Sequence, residues 1–136
     1  MQWKLEVVTI PVSDLDRARD FYADKVGFNV DIDEAVYGFR FLQLTPHGSG
    51  CSIHLRPASG DRPAGAIRDL FLVVSDVRAA RNYLVERGVG AGDVQVFDSG
   101  TYRPAREGES LDLVGCVFFS DPDGNSWCVQ QIPPRA

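Results

Sequence analysis

Val12-Ser13-Asp14-Leu15-Asp16-Arg17-Ala18-Arg19-Asp20-Phe21-Tyr22 is the stretch that decides the fold of this 136-residue chain. An apolar run beginning at Val7 leads into it. Asp14 is placed to accept the free N–H groups of a first helical turn. Ala18, Phe21, Tyr22 and Val26 then recur at helical spacing, and Gly27 supplies a left-handed end. A little under half a chain later the same order returns. Val74-Ser75-Asp76 follows the apolar run from Leu70 and opens a second helical stretch with Ala80, Arg81, Tyr83 and Leu84, closed by Gly88. Two copies of one strand–helix unit indicate a duplicated module, not a solenoid. Such copies commonly pack about a pseudo-twofold and share a concave surface, and that surface is where function is expected.

Outward from these two stretches, the pattern predicts strands at 5–12, 28–32, 37–44 and 51–55, with Pro46-His47-Gly48-Ser49-Gly50 as the turn between the last two. The first helix is expected to run to about Val26. Residues 56–65 hold two prolines and two glycines and read as the join between modules. The second half predicts strands at 70–74, 94–97, 113–119 and 126–132, with a helix from Asp76 to about Arg87. Asp121-Pro122-Asp123-Gly124 reads as a tight turn; it lacks the rest of a calcium loop. Residues 98–112 are long, polar and glycine-bearing, as lids and binding loops often are. Tyr102 and Arg103 within them are candidates to close over a ligand.

Composition narrows the function. Hydrophobic residues at 44% and charged residues at 24% are those of an ordinary globular domain, and a net charge of −5 argues against duplex nucleic acid as a partner. No run of about 18 apolar residues exists, so no membrane span is expected. The N-terminal residues carry charges inside their apolar pattern and do not read as a signal peptide. Three cysteines without zinc-ribbon spacing read as reduced thiols, and a cytoplasmic location is expected. There is no glycine-rich phosphate loop, Ser-His-Asp triad or CxxC.

Strand alternation assigns faces, because side chains two apart point the same way. Val8, Ile10 and Val12, with Leu70, Leu72 and Val74, are expected against the helices. The opposite faces then carry Leu5, Val7 and Thr9 in one module and Asp69, Phe71 and Val73 in the other. Ser52, His54 and Arg56 share a face, and so do Ser126, Cys128 and Gln130. Such a surface, apolar with a few polar groups, suits a small organic ligand. The expected ligand-contacting residues are Val7, Thr9, Ser52, Arg56, Phe71, Cys128 and Gln130. His54 is open to three roles: metal ligand, general base, or plain strand residue. Asp69 is its candidate partner in proton transfer.

The "VSDLDRARDFY" and "FFSDPDGNSWCVQ" stretches, on a repeated β-α-β-β-β order, resemble the vicinal oxygen chelate superfamily. That group includes glyoxalase I, extradiol dioxygenases and the fosfomycin- and bleomycin-resistance proteins. The resemblance covers nearly the whole chain. It implies an α+β fold of two tandem βαβββ modules (about 1–57 and 68–134, joined by a linker at about 57–67) whose curved mixed sheet forms a cup with helices outside. Metal-binding relatives place four ligands in the cup, and the matching positions here are Val7, His54, Asp69 and Cys128. Valine has no donor atom, so no cofactor is favoured, with zinc, nickel or iron as the alternative. The resemblance implies a homodimeric binder of an organic molecule of the glyoxalase/bleomycin-resistance type. The alternative is a lyase or isomerase that uses His54 with Asp69.

Overall fold

The computed structural model describes residues 1–134. It is an α+β protein with two compact units, each built on its own mixed sheet. The first unit comprises Met1–Ile67 and the short segment Asp121–Asn125; the second takes Arg68–Ser120 and the final strand.

In the first unit the strands are β1 (Val7–Val12), β2 (Asn29–Val36), β3 (Phe39–Thr45) and β4 (Ser52–Pro57), in spatial order β1-β4-β3-β2. β1 and β4 are parallel, and the other pairs are antiparallel. A parallel pair needs a crossover, which the helix and the β2–β3 hairpin supply. That helix, α1 (Leu15–Asp20), is capped by Asp14, whose carboxylate accepts the Arg17 N–H at 3.1 Å. It packs against β4. The buried side chains Ile10, Val12, Leu42, Leu44, Ile53 and Leu55 come from the helix-facing side of the sheet.

Two local expectations are corrected here. The helix does not stay α-helical to Val26: Phe21–Val26 is wound as a π-helical turn, and Gly27 ends it at φ 94°. The wider turn seats the consecutive rings of Phe21 and Tyr22 in the core together with Val26. The β2–β3 hairpin is also longer than its alternation suggests. Tyr37 and Gly38 are not strand residues but the two left-handed residues of a tight turn, at φ 51° and 75°, and Val36 pairs directly with Phe39. A tyrosine in that conformation is uncommon, which is why the turn was not legible.

In the second unit the strands are β5 (Leu70–Val74), β6 (Gln95–Asp98), β7 (Thr101–Pro104), β8 (Gly115–Ser120) and β9 (Ser126–Gln131), in order β5-β9-β8-β6-β7. Helix α2 (Val77–Glu86) is capped by Asp76, which accepts the Ala79 N–H at 3.0 Å, and it packs on β8 and β9. β7 was not expected. It occupies part of the segment read as a loop at 98–112, where Ser99 and Gly100, both with positive φ, turn the chain back on β6. Arg103 then holds the segment down, bonding Asp98 at 2.9 Å and Glu109 at 2.6 and 3.0 Å. Its guanidinium keeps the Glu109 carboxyl down at about 2. No helix among the described residues is long and apolar enough to cross a membrane.

Candidate functional site

The side of the first sheet turned away from α1 carries the strongest chemistry. The β1–β4 register places Val7 beside Ser52, Thr9 beside His54 and Pro11 beside Arg56. On the other flank Gln43 pairs with His54, so Phe39, Phe41, Gln43 and Thr45 share its face. The Phe41 and His54 rings lie 4.4 Å apart, tilted by 34°, and the Phe39 ring meets His54 edge-on at 6.3 Å. The Arg56 guanidinium stands 5.0 Å above Phe39, a cation–π contact.

His54 is only 9% exposed, and its Nε2 atom has no hydrogen-bond partner among the described residues. An unmet buried polar atom of this kind costs about 1–3 kcal/mol. Burial pushes the imidazole below its usual range, and the nearby charge of Arg56 pushes it the same way. His54 is therefore neutral at pH 7, with one nitrogen able to donate and the other to accept.

A polar network borders these rings. Asp31 sits at a bulge in β2 and accepts from Asn29 at 2.9 Å, from Gln43 at 3.4 Å and from the Thr45 hydroxyl. Desolvation raises the Asp31 carboxyl, but these donors outweigh it and hold the group below its ordinary value. Thr45 and Ser52 share a further hydrogen bond of 2.6 Å. Beside β1, Thr9, Pro11, Asp61, Arg62, Ala66 and Ile67 line a cavity of about 440 Å³.

One residue fixes that cavity's wall. Asn125 is fully buried; its Nδ2 donates to the Pro11 carbonyl at 3.0 Å and to Asp121 at 2.8 Å, and its Oδ1 accepts the Ile67 N–H at 3.0 Å. Asp121 in turn accepts the Tyr22 hydroxyl at 2.8 Å, and Asp123 accepts both the backbone N–H and the hydroxyl of Ser13. The Asp-Pro-Asp-Gly turn read from the sequence is thus also a clip between β1, the first helical segment and the joining residues.

The second unit gathers the remaining candidates on one sheet face. Phe71 is paired with Cys128, and Val73 with Gln130. Asp69 is exposed, has φ 56°, and donates its N–H to the Ser126 hydroxyl at 2.8 Å. Gln130 is tied to the Leu113 carbonyl at 2.8 Å. Tyr102 points to this face, with its ring 4.9 Å from Phe118 and 5.1 Å from Phe97. Cys128 is fully buried, and burial, with Cys116 and Asp69 nearby, pushes its thiol up to about 12. Such a thiol stays protonated at neutral pH and is a poor nucleophile.

The metal implied by the resemblance can be tested on these donors. Val7 offers none, and no group of three or more His, Cys, Asp or Glu among the described residues is placed to hold a metal ion. The residues do not fit the four-ligand site.

Strand parity was sufficient to find His54, Thr9, Ser52 and Arg56 on a common face. Phe39, Phe41 and Gln43 were missed. Their signal was present as the alternation Phe39-x-Phe41-x-Gln43-x-Thr45, but only the register with β4 shows that it faces His54.

Comparison with known proteins agrees with this architecture. A sequence model of the Glyoxalase/Bleomycin resistance protein/Dioxygenase superfamily matches residues 4–129. TnmS3, an antibiotic binding protein from Streptomyces sp. CB03234, is 31% identical with a TM-score of 0.75, over 96% of this chain and 97% of that one. A glyoxalase/bleomycin resistance protein from the same organism is 32% identical with a TM-score of 0.72, over 94% and 100%. A member of the superfamily from Sphaerobacter thermophilus DSM 20745 is 26% identical with a TM-score of 0.71, over 96% and 98%. No curated protein matches. With its duplicated units and a match over nearly its full length, the chain belongs to the Glyoxalase/Bleomycin resistance protein/Dioxygenase superfamily.

Proposed function

We propose that this protein binds a small organic molecule of antibiotic type and does so without a resident divalent metal. The observation that carries the reading is the ring-lined face around His54, where Phe39, Phe41 and Arg56 surround a buried, unpartnered imidazole nitrogen. Apolar walls with a few fixed polar groups are how small-molecule sites obtain both affinity and orientation. Likeness to an antibiotic binding protein at 31% identity supports the ligand class.

The second unit supports a larger contact surface. Phe71 and Val73 remain more than half exposed on its sheet face, which also carries Tyr102 and Phe97. Apolar area of this kind is commonly covered by a ligand or a second copy. A homodimer is the assembly proposed, and the three free cysteines accord with a cytoplasmic setting.

A second reading, a lyase or isomerase, rests on His54 alone. A neutral imidazole with an unmet nitrogen is equipped to take or give a proton, with Asp69 the proposed partner.

The test is a thermal-shift and calorimetric screen of untagged protein against aromatic and glycopeptide antibiotics. A ligand at a hundredfold excess over Kd adds about 2.7 kcal/mol. Phe41→Ala is expected to abolish the gain. A ligand whose affinity is untouched by that change would remove this face from the reading. Stoichiometric zinc, nickel or iron on elemental analysis would overturn the metal-free part, and monomeric elution at micromolar concentration the dimer.

A further inference from the structure

We infer that the ligand of the first unit is a planar organic acid, its aromatic body against Phe39, Phe41 and His54 and its carboxylate or acidic hydroxyl at Arg56. The inference deepens the binding role proposed above and rests on it.

Three observations converge. The first is shape: three flat rings lie within 4.4 to 6.4 Å of one another on one sheet face. Aromatic rings favour offset or edge-on partners, so a flat conjugated body gains more here than a bulky aliphatic one. The second is charge. Arg56 is exposed and lies over Phe39, and its guanidinium has no ion-pair partner among the described residues. Arg19, Arg40, Arg81 and Arg103 are each paired with a carboxylate. A planar guanidinium left free above a ring is suited to a bidentate oxygen anion. In the neighbouring cavity Asp61 and Arg62 stand on one wall, and their opposite charges offset each other for an anion placed there.

The third is the buried Nε2 of His54. It lies two residues before Arg56 on β4, on the same face, and lacks a partner among the described residues. A second polar substituent on the ligand, reaching this atom, recovers the cost of leaving it unmet. The two groups divide the work: Arg56 selects the charge, and His54 sets the orientation.

The experiment measures 2-naphthoate and 2-naphthamide by calorimetry on the intact parent protein and on Arg56→Gln and Arg56→Lys. The two probes share a ring system and differ in charge. Expected is about a tenfold preference for the naphthoate, lost in Arg56→Gln and partly kept in Arg56→Lys, with naphthamide affinity unchanged throughout. Arg56 is exposed, so neither change threatens the fold. Equal affinities in the parent, or a preference that survives Arg56→Gln, would overturn the acid assignment and leave aromatic binding standing. Binding of neither probe, up to its solubility limit, removes the aromatic binding role at this face and the inference with it.

Discussion

Replacing Asn125 by alanine tests the clip that shapes the first unit. The side chain is fully buried and makes three hydrogen bonds, to the Pro11 carbonyl, to the Asp121 carboxylate and from the Ile67 N–H. Two neutral bonds contribute about 1 kcal/mol each, and one to an ionised acceptor about 1.5–3. The expected loss is therefore about 3–5 kcal/mol, a large part of a domain's total stability. With an unfolding entropy of about 2.1 cal/mol/K per residue, that lowers Tm by roughly 10–17 °C. The assay is urea unfolding followed by fluorescence and far-UV circular dichroism, with coincident transitions as the two-state check. Asn125→Asp sharpens it. The aspartate keeps an acceptor for Ile67 but turns a second oxygen towards Asp121 and the Pro11 carbonyl. At neutral pH it is expected to be at least as damaging as alanine, and to recover partly on acidification as the new carboxyl takes up a proton. An alanine variant within about 1 kcal/mol of the parent would show that the clip does not hold the unit together.

Gly65→Ala would put a Cβ 2.2 Å from the Asp123 backbone oxygen, at a φ of 79°, whereas a Cβ at Gly60 meets nothing within 4 Å. The first change is expected to cost at least about 2 kcal/mol and Gly60→Ala close to nothing; equal urea midpoints would contradict this. His54 provides a pH signature. Its folded imidazole, lowered by burial and then by Arg56, binds protons more weakly than in the unfolded chain. Its contribution to stability is full above the unfolded value of about 6.5 and declines as pH falls through it. Urea midpoints between about pH 5 and 8 should show this slope in the parent and lose it in His54→Gln. An identical slope in both proteins would assign it to another group.

The repeat and the caps were legible because each depends on a few local residues. Asp14 and Asp76 need only their own first turns, and both make the predicted bond. Gly27 ends its helix in the left-handed conformation because no side chain opposes it. What the sequence hid depends on partners far along the chain. The π-helical turn at Phe21–Val26 exists because two adjacent rings both find core positions, which periodicity alone cannot express. The tight turns at Tyr37-Gly38 and Ser99-Gly100 put a non-glycine residue in the left-handed region, so the sequence pattern shortens β2 and hides β7. His54, Thr9 and Arg56 followed from alternation along β1 and β4. Phe39 and Phe41 required the β3–β4 register, which no single strand contains. Asn125 was invisible for the same reason: it lies beside an ordinary turn, and its value comes from Pro11 and Ile67.

The Asp121–Asn125 clip also bears on whether the first unit can stand without the rest of the chain. Its flanking strands are part of the second unit, yet its own side chains complete the first. A half-length polypeptide ending at Ile67 would carry Ser13 and Tyr22 without the acceptors that satisfy them. Cut at that point, the first unit would reach its full complement of bonds only with the Asp121–Asn125 bend supplied as a separate piece.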